Sequence, residues 1–260
     1  MTDKIWGEHQ TIEDKIGSIR IGPLTIYHKK VVNEVWISHH TTDTGEKEII
    51  RDDYYDWSRW ALAGEDNQSV RLQPVFPDRT VIVLPEFPFR LVPGANVKIY
   101  TRIPVNVLIS ATGKGKRTLI EVPSVILAKT WFGAFTEGET CFWVTTRARR
   151  SLAGEVFLPH LVVCPIYIRN SSDEELHIEK LALRVQRMSI FIQENRLWSD
   201  NIEIHHKGSD DQSDVHMTGK IPEEASGAEL ITAPRAPQKR SLKERTFKIL
   251  HDLPGIGFKI

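Results

Sequence analysis

The stretch LPHLVVCPIYIRNSSDEEL, residues 158–176, contains an apolar run, a polar break and the start of a second apolar run. In the first run Val162, Cys164 and Ile166 fall on one face of an extended strand, because strand side chains alternate between faces. The residues after the break alternate in the same way. The break at 170–174 reads Asn-Ser-Ser-Asp-Glu, and these residues favour turns because Asn and Asp tolerate left-handed geometry and hydrogen-bond to their own backbone. The stretch therefore predicts two strands joined as a hairpin by a five-residue loop.

Similar strand-like segments and turn signals surround this predicted hairpin. Gly22 and Pro23, residues 113–117, and Glu194 with Asn195 all read as hairpin turns. Prolines punctuate the apolar segments between them, and proline lacks a backbone donor, which confines it to strand edges, strand starts and loops. Residues 1–207 are therefore predicted to form an all-β fold, an antiparallel β-sandwich that is either one elaborated unit or two packed ones, with an internal boundary near 93–96.

The bulk composition excludes several classes of protein. The 260 residues contain 34 Lys and Arg against 34 Asp and Glu, so the basic excess that a general nucleic-acid binder needs is absent and no nucleic acid partner is expected. The charged N-terminal residues lack the apolar core of a signal peptide, and no run approaches the roughly 18 apolar residues of a membrane span. Cys141 and Cys164 lie in apolar segments without metal spacing, which predicts buried free thiols in a reducing compartment. A cytoplasmic location is expected.

The C-terminal part departs from the strand pattern. Residues 208–240 are rich in Ser, Asp, Gly, Glu and Pro and predict a flexible linker. Residues 241–260 predict a short amphipathic helix and tail, because Ser241 and Glu244 form a capping-box pattern before an apolar face. A helix this short is marginal alone in water, so it must dock on a partner, on a membrane surface or on its own sandwich. The residues expected to dock are Leu242, Phe247, Ile249, Leu250, Leu253, Lys243, Arg245 and Lys248.

A second candidate site lies in residues 52–67, DDYYDWSRWALAGEDN. Trp57, Trp60 and Ala61 have helical spacing, which predicts a short helix or a structured loop. An acidic aromatic patch here would bind a sugar by ring stacking and by hydrogen bonds to carboxylates. The alternative is that the tryptophans only pack on the sandwich. The patch consists of Asp52, Asp53, Tyr54, Tyr55, Asp56, Trp57 and Trp60.

Catalytic, metal and cofactor signatures are absent from the sequence. No serine has glycines at both −2 and +2, and a strand-core thiol such as Cys164, near His160, is a poor nucleophile. The densest set of ligand-type residues is at 205–217, but the adjacent His205 and His206 point to opposite faces of a strand. No glycine-rich phosphate loop is present. We therefore predict no catalytic residue, no metal site and no cofactor.

Three blocks of the sequence resemble a known family. They are VLPEFPFRLVPG at 83–94, PHLVVCPIYIRNSS at 159–172 and NRLWSDNIEIHHKG at 195–208. In them the chain is similar to an uncharacterised prokaryotic family, domain of unknown function 432, over residues 5–208. The resemblance implies an all-β fold and no assigned reaction. It also implies an accessory role beside small-conductance mechanosensitive-type channels.

These observations favour one function and leave a second open. The favoured function is a non-enzymatic protein-interaction or accessory module, whose tail docks on a protein partner or a membrane-associated complex, with peripheral association to the membrane. The alternative is a ligand-binding or hydrolytic enzyme of the carbohydrate type that uses the acidic aromatic patch.

Overall fold

A computed structural model describes residues 4–42, 56–62, 69–112, 117–133, 135–136, 138–154, 156–208, 212–237 and 242–247. In the first half of the chain the strands are β1 (Gly7–Gln10), β2 (Gly17–Ile21), β3 (Leu24–Val31), β4 (Glu34–Thr41), β5 (Ser58–Ala61), β6 (Ser69–Val75), β7 (Val81–Pro85), β8 (Phe89–Leu91), β9 (Asn96–Pro104), β10 (Asn106–Thr112) and β11 (Arg117–Pro123). They continue with β12 (Ala128–Phe132), β13 (Glu139–Ala148), β14 (Leu161–Asn170), β15 (Leu176–Ile178), β16 (Leu181–Leu183), β17 (Ile190–Gln193), β18 (Arg196–Ser199), β19 (Ile202–His206), β20 (Gln212–Met217), β21 (Glu229–Thr232) and β22 (Leu242–Arg245). In the described part of the chain, two short 3-10 helices cover Val185–Arg187 and Glu223–Ala225.

The described strands form five sheets, which confirms the all-β prediction. The small sheets have the orders β1-β6-β10-β11, β2-β3-β4-β5, β12-β13-β7-β16 and β8-β15. The large sheet has the order β21-β17-β18-β14-β19-β20-β22, with β9 on the other side of β14. The largest cluster of buried apolar side chains draws members from every sheet, so the sheets enclose a shared core.

Strand β14 is the centre of the large sheet. Along one edge it pairs antiparallel with β9, from Leu161 to Arg169. Along the other edge it pairs in parallel, first with β18 and then with β19. Its faces pack into different clusters, Val162 into the main core and Val163 against the ring of Trp198. A strand that is covered on both faces reads as a continuous apolar run, which explains the sequence of this segment.

Proline 165 lies within this central strand at a position where its missing N–H disrupts no pairing. Its neighbour on β9 is Tyr100, whose backbone N–H and C=O both bond to Arg149, at 2.7 and 2.9 Å, and thus face away from β14. In an antiparallel pair both residues then direct their polar groups outward, so the backbone of Pro165 faces the other edge. There β18 has ended at Ser199 and β19 begins at Ile202, so the proline faces the gap between the two strands.

A buried carboxylate occupies that gap. Asp200 is fully buried, and its Oδ1 accepts a hydrogen bond from the backbone N–H of Ser189 at 2.9 Å. Its Oδ2 accepts from the N–H of Gly219 at 3.0 Å. The first donor directly precedes β17, which pairs with β18, and the second follows β20, which pairs with β19. β18 and β19 follow each other along one edge of β14, with Asp200 between them. The Asp200 side chain therefore links the ends of β17 and β20, the strands that pair with β18 and β19.

The predicted hairpin at the end of β14 is wrong, because β14 and β15 belong to different sheets. The side chain of Asn170 causes the change of sheet. Its amide donates to the carbonyls of Leu91 at 2.8 Å and Glu174 at 2.7 Å, and its Oδ1 accepts from the N–H and hydroxyl of Ser172. The Asn170 side chain is fully buried, and the turn that it organises leads the chain into β15, which pairs with β8.

Three other predicted hairpins are confirmed. Strands β2 and β3 pair antiparallel around Gly22, whose φ of 62° places it in the left-handed region that glycine favours. Strands β10 and β11 pair in the same way, although residues 113–116 of the connection lie outside the described part. Strands β17 and β18 pair around Glu194 and Asn195, with φ of 49° and 64°. Two consecutive positive φ values are typical of a type I′ turn.

Two predictions for irregular segments are wrong. Residues 58–61 of the predicted helix or loop at 52–67 form β5, because their backbone completes the edge of β4. The predicted linker 208–240 contains β20 and β21, which pair with β19 and β17. Its apolar residues are few but well placed, since Val215 and Met217 alternate toward the core and Ala225 packs on Trp198. The predicted internal boundary near 93–96 stays a prediction.

The predicted C-terminal helix at 241–260 is also wrong for the described residues. Leu242–Arg245 is strand β22, which pairs with β20 from Gln212 to Val215. The carbonyl of Thr246 then accepts from the N–H of Ala182 at 2.9 Å, and the Phe247 ring is 2% exposed and meets His206 edge-on. Pairing and burial outweigh a local helical pattern that is marginal without packing. Residues 248–260 lie outside the described part.

We expect Asn170→Ala to lower the free energy of unfolding by about 3 kcal/mol, because the change leaves the buried carbonyl of Leu91 and the partly buried carbonyl of Glu174 without their donor. Urea denaturation of the purified protein measures this. The control Asn96→Ala changes an exposed residue on β9 and should stay within about 0.5 kcal/mol of wild type. Equal effects of both changes would contradict the structural role of the Asn170 turn.

We expect Phe247→Ala to destabilise the protein by about 3–5 kcal/mol, as is usual for a buried phenylalanine. Phe135, which is 93% exposed, provides the matched control, and Phe135→Ala should change stability by less than about 0.5 kcal/mol. Thermal and urea denaturation compare the two. A neutral Phe247→Ala variant would show that the segment after β22 does not contribute to the core.

Candidate functional site

A cavity of about 350 Å³ opens where β7, β9 and β13 come together with the start of β8. This volume is at the lower end of the range of pockets that bind small ligands, about 300–1,000 Å³. The floor is apolar and buried, while the rim carries aromatic and charged side chains. The lining residues are Pro85, Glu86, Phe87, Phe89, Ile99, Ala148, Arg149 and Arg150.

Backbone hydrogen bonds fix the end of β13 against its neighbours and so shape the cavity. Beyond Ala148, Arg149 exchanges two bonds with Tyr100 on β9. On the opposite side, the N–H of Glu86 donates to the carbonyl of Ala148 at 2.8 Å. The residues that follow β13 are therefore held at a defined position beside the end of β7.

Two prolines determine how the aromatic side chains are displayed. Pro85 is the last residue of β7, and Pro88 immediately precedes β8. Because neither has a backbone donor, strand pairing is interrupted between them. Phe87, in the interruption, is 75% exposed, and Phe89 is partly buried on the other side of Pro88. Both rings line the cavity.

The rim of the cavity carries a cationic excess. Arg149 Nε lies 3.3 Å from Glu86 Oε1, and both side chains are more than 40% exposed, so this ion pair contributes little to stability. The guanidinium of Arg150 lies 5.1 Å from the centre of the Phe89 ring, a cation–π distance. Within the described part of the chain, no carboxylate lies within 4.0 Å of Arg150. Two arginines thus face one glutamate.

The hairpin β12–β13 carries a second unusual surface. β12 is an outer strand of its sheet among the described strands, and Phe132 and Cys141 pack the inner side of the hairpin. On the outside Trp131 is 52% exposed, and Phe135 at the tip is 93% exposed. The Trp131 ring crosses Gly138, where a Cβ would lie 2.4 Å from its Nε1. Glycine is therefore required for the ring to lie against the hairpin.

The acidic aromatic patch is only partly described, and the visible residues do not share one face. Asp52, Asp53, Tyr54 and Tyr55 lie outside the described residues. Trp60 packs against the main core, whereas Trp57 lies 6.2 Å from Trp36 on the other side of the sheet. Asp56 is exposed. Burial lowers the pKa of His39, and the negative charge of Asp56 opposes this shift.

Cations cover the tryptophan rings of this region. Lys29 Nζ lies 4.6 Å from the centre of the Trp36 ring and 4.9 Å from that of Trp57. Arg59 lies 4.0 Å from the Trp36 ring centre. Ring faces that hold cations are poor platforms for sugar stacking, so this geometry weakens the carbohydrate hypothesis.

The predicted docking residues of the tail divide into three groups. Leu242, Lys243 and Arg245 lie in β22. Phe247 is buried in the core of its own chain, so its predicted role as an anchor for a partner is wrong. The others, Lys248, Ile249, Leu250 and Leu253, lie outside the described residues.

The two thiols are unsuited to nucleophilic catalysis. Both are free and buried. Burial raises the pKa of the Cys141 thiol to about 11, with Glu139 adding to the shift, and burial raises the pKa of Cys164 further above its ordinary value. The reactive thiolate is therefore disfavoured at neutral pH. Among the residues in the described ranges, no group of three His, Cys, Asp or Glu side chains could hold a metal ion.

A buried histidine lies on the core side of sheet β2-β3-β4-β5. His28 is 5% exposed, and its ring lies over Gly17, where a Cβ would lie 2.4 Å from the ring carbon Cε1. Burial, with a smaller contribution from His9, lowers the pKa of His28 to about 4. The ring is therefore neutral at physiological pH.

Sequence reasoning missed the cavity, although two signals pointed to it. One is the pair of prolines around Phe87, which predicts an interrupted strand with an exposed ring. The other is the set of three arginines in residues 147–150, directly after the segment CFWVTT at 141–146. Neither signal shows that the two segments meet, because their contact depends on the parallel pairing of β13 with β7.

We expect the stability of the protein to fall as the pH drops from about 6.5 to about 4. In this window the unfolded chain binds a proton on His28 that the folded chain excludes, which removes about 3 kcal/mol of stability. Urea denaturation at several pH values measures the effect. His28→Leu should show a shallower pH dependence than wild type, whereas the exposed control His177→Gln should not. An unchanged pH dependence in His28→Leu would contradict the assignment.

Comparison with known proteins agrees with the resemblance noted in the sequence. None of the described helices is long and apolar enough to cross a membrane. No curated protein and no solved structure matches the chain. Residues 5–251 match the family described as "Protein of unknown function (DUF432)", and this match includes strands β20 to β22, beyond the blocks first noted. The chain therefore belongs to the domain of unknown function 432 family.

Proposed function

We propose that this protein is a non-enzymatic interaction module that docks on a protein partner through the hairpin β12–β13. The observation that carries the proposal is the exposure of Phe135, which is 93% accessible at the tip of the hairpin, beside a half-exposed Trp131. Aromatic side chains are enriched among the residues that dominate binding at protein interfaces. Their burial by a partner removes a large apolar area from water.

The base of the hairpin is rigid, which favours docking without a large ordering cost. Glu139, the first residue of β13, accepts a hydrogen bond from the hydroxyl of Thr80 at 3.1 Å and from the guanidinium of Arg184 at 3.1 Å. The N–H of Phe142 donates to the carbonyl of Thr80 at 2.8 Å. Binding elements that are already ordered lose less entropy on association.

The proposed partner is a protein in a membrane-associated complex, such as a mechanosensitive-type channel, and the protein itself would lie in the cytoplasm beside the membrane. The family resemblance supports this choice of partner. Lys248, Ile249, Leu250 and Leu253 remain proposed as a second contact. Phe247 is excluded from that contact by its burial.

We expect the double change Trp131→Ser and Phe135→Ser to reduce recovery of the partner by at least about tenfold, since each lost aromatic anchor typically costs more than about 1 kcal/mol of binding. The measurement is affinity purification from native cells with solubilised membranes, quantified by mass spectrometry. The matched control is Ile12→Ser with Val32→Ser, which removes two exposed apolar side chains from the β1–β4 region.

Three results bear on the proposal. Loss of one set of proteins in the hairpin variant alone supports it, provided that both variants have the same melting temperature. Equal recovery by both variants contradicts the hairpin as the docking element. A chain truncated after Phe247 tests residues 248–260 separately, and it keeps β22 and the core intact, which a truncation in the segment 208–240 would not.

A further inference from the structure

We propose that the cavity beside Pro85 binds a small amphiphile with an oxyanion head, a carboxylate or a phosphate, on an apolar chain. This inference does not depend on the proposed docking function. The hairpin lies at the start of β13 and the cavity at its end, and a strand of ten residues separates them by about 30 Å. A ligand in the cavity would therefore not compete with a partner at the hairpin.

The interior of the cavity suits the apolar part of the ligand. Ile99 and Ala148, at its floor, are 1% and 3% exposed, and Pro85 is also buried. Phe87 and Phe89 add aromatic surface at the side. Most pockets for small molecules combine such apolar walls with a few polar groups that orient the ligand.

Phe87 provides the strongest sign that the cavity is a binding surface. A phenylalanine that is 75% exposed keeps a large apolar area in water, and here it lines a concave site instead of a convex loop. The apolar chain of a ligand that enters the cavity would cover the inner side of the Phe87 ring. Contact with Phe87 and Phe89 would then remove apolar area of both the protein and the ligand from water.

The charges at the rim determine the sign of the head group. Glu86 is engaged by Arg149, at 3.3 Å, which offsets its repulsion of an anion. Arg150 lines the same cavity, and among the described residues it contacts a ring face instead of a carboxylate. The planar guanidinium presents paired donors that match the geometry of carboxylate and phosphate oxygens. The rim therefore favours an anion, with Arg150 as its direct contact.

Three ligands with the same ten-carbon chain test the proposal. These are decanoate, decyl phosphate and decanol, titrated below their aggregation concentrations by isothermal calorimetry. We expect both anions to bind and decanol to bind at least about tenfold more weakly, because only the anions gain a charge-assisted contact. The ratio of the two anion affinities shows which head group the site prefers.

Variants localise the binding to the cavity. Arg150→Gln should weaken decanoate at least about tenfold. The matched control Arg147→Gln changes an exposed arginine of β13, three residues before Arg150, that does not line the cavity, and it should bind as wild type does. Phe87→Ser should weaken all three ligands and leave the preference for anions unchanged. Unaltered melting temperatures confirm that the variants are folded.

Two sets of results would overturn the proposal. Equal affinities for decanoate and decanol in the wild-type protein would show that the rim does not select an anion. Equal losses in Arg150→Gln and Arg147→Gln, or no binding of either anion, would show that the cavity is not the site. Neither result depends on the outcome of the partner capture with the hairpin variants.

Discussion

The structure depends on the pairing of β14 along both of its edges. This strand contacts β9 along nearly its whole length on one side and the successive strands β18 and β19 on the other. A proline in a central strand would ordinarily remove a ladder hydrogen bond. Pro165 avoids that loss because its nitrogen faces the gap between β18 and β19, where the buried carboxylate of Asp200 receives two backbone donors instead. Pro165 thus lies where the neighbouring strand along this edge of β14 is interrupted, so no donor from the proline is needed there.

The faces of the strands could be predicted from the sequence, but their neighbours could not. Alternation with period two shows which side chains share a face, as it does for Val162 and Cys164, yet it carries no information about the strand alongside. Turn residues between two strands are equally ambiguous. Glu194 and Asn195 make a hairpin, whereas Asn170 uses its side chain to send the chain into another sheet. The prediction of a C-terminal helix was wrong for a related reason. The helical pattern is local, whereas Phe247 is buried by contacts with residues distant in the sequence.

The candidate sites were predictable to a smaller extent, because each combines segments that are distant in the chain. The cavity is formed by residues 85–89 and residues 148–150, which the parallel pairing of β7 and β13 brings together. Parallel strands are not joined by a short turn, so the sequence contains no turn signal that predicts their pairing. The acidic aromatic patch was predicted from a contiguous stretch. Alternation along β5 then separated Trp60, which faces the core, from the cluster of Trp36, Arg59 and Lys29.

Strand β13 connects the two surfaces that we assign to function, and its anchoring explains why both persist. At its start, Glu139 is held by Thr80 and Arg184, so the aromatic hairpin projects from a fixed base. At its end, Arg149 is held by Tyr100, so the arginines at the cavity rim do not depend on a long flexible loop for their position. Apolar side chains on a flexible segment would instead pack against a nearby apolar surface of the protein. Phe135 and Phe87 are exposed next to these anchored strands, which favours recognition as the reason that their rings stay in water.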